Sequence, residues 1–268
     1  MSSADLIFLK LGGSLITDKT REETLRVEVL NRLVSEIREA LSSKPELQLV
    51  LGHGSGSFGH VAANKYGTRQ GIHTQDQWKG FAEVSSAAAR LNAQVRESLL
   101  VKNVPAVSLQ PSASAECRKG RIVNMGTTQV KAAIEAGLVP IVYGDVAFDS
   151  VLGGTIISTE EILSFLAADL RPTWLLLAGE TEGVLSDDGR IIPLITKSNI
   201  GQIQNQLSGS RGTDVTGGMA SKVNQMLELV EKDPNLSVLI FSGLKGGNIS
   251  GRLLGNIEIA GTVIRQAN

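Results

Sequence analysis

Leu6-Ile7-Phe8-Leu9-Lys10-Leu11-Gly12-Gly13-Ser14 is the stretch that decides the fold. A short run, apolar but for one lysine, breaks directly into paired glycines, which reads as a buried strand ending in a tight turn. A strand with no polar alternation belongs in a sheet covered on both faces, and such sheets are assembled from strands that alternate with helices. The turn carries chemistry of its own. Glycine lets backbone amides crowd around an anion where a side chain would block approach, and a neighbouring lysine supplies mobile positive charge.

Working outward, Leu30, Leu33, Val34, Ile37 and Leu41 recur at helical spacing until Lys44-Pro45 stops the pattern. A strand at 47–51 follows, and then a second glycine-rich turn from Gly52 to His60. Phe81, Val84, Ala88, Leu91, Val95 and Leu99 mark a long helix. Strands at 104–109 and 138–143 come next, with a surface hairpin over 110–125 and a helix near 128–136 between them. Ser158-Thr159-Glu160-Glu161 has the spacing of a capping box and opens a helix through Leu170. A strand at 174–178, a helix at 219–232 and a strand at 238–241 complete the alternation. The expectation is an α/β protein, a three-layer αβα sandwich with a mostly parallel central sheet. No linker or repeat divides the chain, so residues 1–268 read as one domain. Sheets of this kind bind ligands at the carboxyl ends of their strands. All three glycine turns, the third running from Asp214 to Lys222, fall where that rule puts them.

The bulk composition narrows the partners. With 26 basic and 27 acidic residues and a net charge of -1, the chain has no global field for nucleic acid or an anionic membrane, so any anion must be held locally. Hydrophobic residues make up 42%, ample for a core, and no apolar run approaches a membrane span. The single Cys117 and three histidines exclude an intramolecular disulfide and a multi-cysteine metal site. With no targeting segment at the N-terminus, the expectation is a soluble cytoplasmic protein.

Gly54-Ser55-Gly56-Ser57-Phe58-Gly59 satisfies the G-x-G-x-x-G pattern after a strand, with Asp76 near the position of a ribose-binding acid. Thr74-Gln75-Asp76-Gln77 is polar, however, and does not end an apolar strand, which argues against a dinucleotide fold. No Walker A sequence is present.

Lys10-Leu11-Gly12-Gly13-Ser14, the His53 to His60 loop, Tyr143-Gly144-Asp145, and Asp214-Val215-Thr216-Gly217-Gly218-Met219 leading to Lys222 resemble, in this order and over nearly the full length, the amino acid kinase family. Three further features are similar to its isopentenyl phosphate kinase branch: the string from Gly52 to His60, Lys19 in Ile16-Thr17-Asp18-Lys19, and Ser242-Gly243-Leu244-Lys245-Gly246-Gly247-Asn248. The resemblance implies a homodimer that transfers the γ-phosphoryl group of ATP, with Mg²⁺, to the small-molecule substrate isopentenyl phosphate. It implies an acceptor part over about 1–170 and a nucleotide part over about 171–268.

By the same resemblance Lys10, Lys19 and Lys222 stabilise the moving phosphoryl group, and Glu160 holds the lysines in register. Gly12, Gly13, Ser14, Gly56, Gly218, Glu180 and Gly183 border the nucleotide. Ser55, Gly56, His60, Gly144 and Asp145 meet the acceptor phosphate, and Phe81, Val84 and Ile156 its apolar tail. Each has a plainer reading: an exposed lysine at Lys19, a helix cap at Glu161, core packing for Phe81, Val84 and Ile156. The chain departs from the branch at Glu160, Glu180 and Glu182, where aspartates are usual. No metal ligands and no general base are assigned, because a fully ionised phosphomonoester, with a second pKa of about 6, already presents an anionic oxygen. Two other readings stand beside this one: the same fold acting on a carboxylate, phosphonate or nucleotide, and a non-catalytic sensor of ATP or NAD.

Overall fold

Every residue of the first strand is buried, and the sheet around it explains why. The computed structural model describes residues 5–207 and 218–267, with the backbone alone at 60–62, 64 and 204–207. In chain order the elements are β1 (Leu6–Leu11), the single helical turn α1 (Gly13–Ile16), α2 (Val27–Ser43), β2 (Gln48–His53), α3 (Gly56–Tyr66) and α4 (Gln75–Val101). There follow β3 (Ala106–Ser108), β4 (Glu116–Arg118), β5 (Arg121–Asn124), α5 (Thr128–Glu135), β6 (Val139–Tyr143), β7 (Asp145–Asp149), β8 (Gly153–Ile157) and α6 (Thr159–Leu170). The last group is β9 (Trp174–Gly179), β10 (Leu194–Ile195), α7 (Ile200–Leu207), α8 (Gly218–Lys232), β11 (Ser237–Ser242), α9 (Asn248–Leu253) and β12 (Thr262–Ile264).

The main sheet has the order β10-β12-β11-β9-β1-β2-β6-β3. From β11 to β3 all pairings are parallel, whereas β12 runs antiparallel to β11. The carboxyl ends of the parallel strands therefore share one edge, and β1 lies inside it between β2 and β9. Side chains alternate across the pleat. Leu6 and Phe8 pack with Val130, Leu163, Leu166 and Met226 of α5, α6 and α8. Ile7, Leu9 and Leu11 pack with Leu33, Leu91, Val95 and Ile249 of α2, α4 and α9. Helices thus cover both faces, which is the expected three-layer αβα sandwich.

A second sheet accompanies the central one. The hairpin at 110–125 does form, as β4 and β5, but it belongs to a second four-stranded sheet of order β5-β4-β7-β8. Asp149 ties this sheet together, its carboxylate accepting the N–H groups of Lys119, Gly120, Val151 and Leu152 at 2.7 to 3.1 Å. β7 begins and ends on aspartate and β8 opens on Gly153-Gly154. Neither offers an apolar run or a clean alternation from which a strand is read.

Candidate active site

The alternation that buries β1 turns Lys10 toward the same face as Leu6 and Phe8, and it is only 8% exposed. An ammonium at a core position requires a partner. The partner arrives because the neighbouring position across the sheet is Gly52. A Cβ there would lie 2.8 Å from Thr159 Cγ2 and 2.9 Å from Leu163 Cδ1, so only glycine lets the start of α6 rest on the sheet. The capping box of Ser158 and Glu161 holds that first turn, and Thr159 Oγ1 donates to His53 O at 2.7 Å. Glu160 is thereby delivered to Lys10, whose Nζ donates to Oε1 at 2.5 Å. Lys222 Nζ, from the first turns of α8, lies 3.5 Å from the same oxygen. Burial alone would raise the Glu160 carboxyl, but the two ammonium charges outweigh it and hold the group down to about 2. Burial pushes the Lys10 ammonium below its ordinary range, with Glu160 opposing that push and Lys222 adding to it. Two cations share one anion, which leaves a net positive charge at the strand ends.

Beside this cluster the first two glycine turns interlock. A Cβ on Gly13 would collide with Gly56 N, and one on Gly56, at φ +49°, with Thr17 Oγ1. A Cβ on Gly54 would also be too close, 2.8 Å from Gly13 N. Thr17 closes the joint by donating to Gly13 O at 2.7 Å and accepting from Ser57 N at 3.0 Å. The amide of Gly12 donates to Ala178 O at 2.8 Å, so Gly12 contributes space and not a donor. Ser14 sits within α1, and Ser55 is the N-cap residue of α3. Lys19 is exposed, in a turn capped by Asp18 Oδ1, which accepts from Thr20 N at 2.9 Å. His60 lies in α3, its side chain outside the described residues, as are Asp214 to Gly217 of the third turn.

The acceptor candidates divide in two. Gly144 donates its N–H to His53 O at 3.3 Å. Asp145 is buried, and its two carboxylate oxygens accept from Ser112 N and Val146 N at 3.2 and 2.8 Å, so it braces the backbone. Phe81, Val84 and Ile156 do come together, in a small cluster with Ile72, Val146 and Trp78 separate from the two main cores. Phe148, 59% exposed, adds its ring 5.2 Å from that of Phe81. Below the turn His53 is fully buried, stacked on Tyr143, with Nε2 3.3 Å from Asn92 Oδ1. Burial pushes its imidazole down to about 4, so the ring is neutral near pH 7.

Of the residues expected to border the nucleotide, Glu180 follows β9 and pairs with Arg26 at 2.8 Å. Gly183 is pressed against β12, where a Cβ would lie 2.8 Å from Thr262 Oγ1, and Gly218 opens α8 at φ +64°. A cleft of about 250 Å³ lies beyond the ends of β9 and β11, lined by Glu182, Ser242, Lys245, Asn248, Asn256 and Glu258.

Residues 5–242 match the amino acid kinase family. The chain belongs to that family. Within it, the sequence is 36% identical to isopentenyl phosphate kinase of Methanocaldococcus jannaschii, covering 94% of this chain and 96% of the relative. It is 35% identical to isopentenyl phosphate kinase of Methanothermobacter thermautotrophicus, covering 97% and 98%. Its fold matches a solved isopentenyl phosphate kinase with a TM-score of 0.82 and 33% identity, over 97% of this chain and 99% of that one.

In this amino acid kinase several site-forming residues escape a reading for reactive groups. Gly52 serves helix approach, Thr17 and Thr159 tie turns together, and Arg26 meets Glu180 across 154 residues. Gly52 had a signal, a glycine inside an apolar strand, which marks close approach of another element. Arg26 had none.

Proposed function

We propose that this amino acid kinase transfers the γ-phosphoryl group of ATP to isopentenyl phosphate, giving isopentenyl diphosphate and ADP. The observation that carries the proposal is the Lys10–Glu160–Lys222 cluster beside the interlocked Gly13 and Gly56 turns. The two archaeal isopentenyl phosphate kinases, similar over 94% and 97% of the chain, support the choice of acceptor.

Phosphoryl transfer asks little covalent work of a protein; it needs donor and acceptor aligned and cations where charge moves. An oxygen of the acceptor monoester forms a bond to the γ-phosphorus, and the bond from that phosphorus to the β,γ-bridging oxygen breaks, leaving its electron pair on ADP. No proton has to move. Lys10 and Lys222 face the charge that builds on the transferring group, and Glu160 keeps both ammonium heads at one point. Lys19, on its exposed turn, reaches the same group from the solvent side. The amides of Gly13 and Ser14 serve the nucleotide phosphates, and Ser55, Gly56 and His60 grip the acceptor phosphate. Phe81, Val84 and Ile156 exclude water around the isoprenoid tail.

Mg²⁺ would come bound to the phosphate oxygens, which suits a small, reluctantly dehydrated cation. Among the described residues no three His, Cys, Asp or Glu converge to hold it, so no step is assigned to a protein-held metal. The proposal includes an acceptor part at about 1–170 and a nucleotide part at about 171–268, with the Gly13 and Ser14 amides reaching from the first part to the nucleotide phosphates. A homodimer in the cytoplasm completes the proposal; among the described residues no helix is long and apolar enough to cross a membrane.

An ADP-release assay over isopentenyl phosphate, dimethylallyl phosphate, glutamate, carbamate, UMP and fosfomycin tests the proposal. Turnover should be confined to the prenyl phosphates. Turnover with glutamate, carbamate, UMP or fosfomycin alone would reject the acceptor, and heat stabilisation by NAD but not by MgATP would reject the kinase.

A further inference from the structure

Glu36 is a buried carboxylate that the transfer step does not use. It projects from α2 toward α9, whose N-cap position is Gly247, at φ +83°, with no side chain to accept the free N–H groups of the first turn. Glu36 Oε2 does that work, accepting from Ile249 N at 2.9 Å and Ser250 N at 3.4 Å. A helix cap is thus supplied from a distant element. The other oxygen accepts from Arg32 Nη1 at 2.6 Å. Arg32 then reaches onward, Nη2 donating to Gly243 O at 2.6 Å and Nη1 lying 3.5 Å from Lys245 O. One ion pair therefore grips both ends of the turn between β11 and α9. From the opposite side Gly243 N donates to Gly179 O at 2.8 Å, and a Cβ on Gly243 would meet Leu15 Cδ2 at 2.5 Å. The turn is held from both flanks. Ser242, Lys245 and Asn248, its members and neighbours, line the cleft at the ends of β9 and β11, whereas neither Arg32 nor Glu36 does.

We propose that Arg32 and Glu36 are positioning residues for the nucleotide: by holding residues 243–250 against α2 they keep Lys245 and Asn248 in the arrangement that receives ATP. This rests on the reading of the chain as an ATP-dependent kinase. An arginine fork is suited to the task, since its donors are spread over separate nitrogens in a fixed plane and reach a carboxylate and two carbonyls in different directions, whereas an ammonium offers its donors from a single point.

The test uses Arg32→Gln, Arg32→Lys and Glu36→Gln in the full chain. It measures KM for ATP, KM for isopentenyl phosphate, kcat, ATP binding by calorimetry, and the thermal midpoint. Losing a charge-assisted grip should raise KM and Kd for ATP about tenfold in Arg32→Gln, while KM for isopentenyl phosphate and kcat stay within about twofold. Arg32→Lys should fall between Arg32→Gln and the parent. A lower midpoint with ATP affinity unchanged, or an equal loss for both substrates, would overturn the proposal. Arg32 is partly exposed, so Arg32→Gln decides the matter even where Glu36→Gln does not fold. A parent protein that neither binds nor turns over ATP rejects the kinase and this role together; a parent that does both, with variants unaltered, rejects the role alone.

Discussion

Between Gly13 and Gly56 backbone packs on backbone with no room for a methyl group, whereas between Trp78, Phe81 and Phe148 whole rings do the packing, with centroids 5.2 to 5.9 Å apart. The first arrangement leaves N–H groups and two lysines as the chemistry, and tolerates nothing added. The second offers apolar area of adjustable shape, with one ring left largely open to solvent. A site for a phosphorylated hydrocarbon needs both. In the proposed reaction the rigid electrostatic end sets where transfer occurs, and the forgiving apolar end sets what is carried there.

That contrast can be broken by substitution, beginning where the effect is largest. Lys10→Ala and Lys222→Ala should each lower kcat by about a thousandfold or more, as removal of charge-stabilising cations does at other phosphoryl-transfer sites. Single-turnover ADP formation measures it. Losses below tenfold would show that the rigid end is not where charge develops.

Gly56→Ala should cost about 3 kcal/mol, because alanine must adopt φ +49° and its methyl drives into Thr17 Oγ1. Urea unfolding of the variant would report it; a stability equal to the parent would mean that the turns are not locked. Most of the layout around these turns was legible in the sequence, because Leu6 to Leu11 and the helices at Leu30 and Ser158 announce themselves by period and cap. The candidate cluster could be read from the sequence as residue types but not as contacts. Lys10 next to two glycines suggests an anion, yet its partner lies 150 residues away and is chosen by the missing side chain of Gly52. The four-stranded sheet was hidden because Asp145, Asp149, Gly153 and Gly154 serve hydrogen bonding and close approach, which leave no hydrophobic period.

His53 gives a pH test of the same rigid end. Its imidazole is held down to about 4 in the fold against an ordinary 6.5. The unfolded chain therefore binds more protons between those values, so the stability that neutral His53 provides is complete above pH 6.5 and is lost as pH falls toward 4. The loss should reach about 3 kcal/mol and be absent in His53→Gln. Denaturation midpoints at pH 7 and 4.5 for the two proteins give the comparison, and parallel shifts would contradict it. At the forgiving end Phe81→Leu should cost only about 1 kcal/mol, with KM for isopentenyl phosphate changed and KM for ATP not. An effect as large as that of Gly56→Ala would erase the distinction between the two ends.

The position of β1 between β2 and β9 also bears on how the enzyme is made. A growing polypeptide releases β1 well before β9, so an apolar strand keeps one side open while the intervening residues are made. Such an edge is a template for mispairing with another copy. Until β9 arrives, that edge has no partner within the chain.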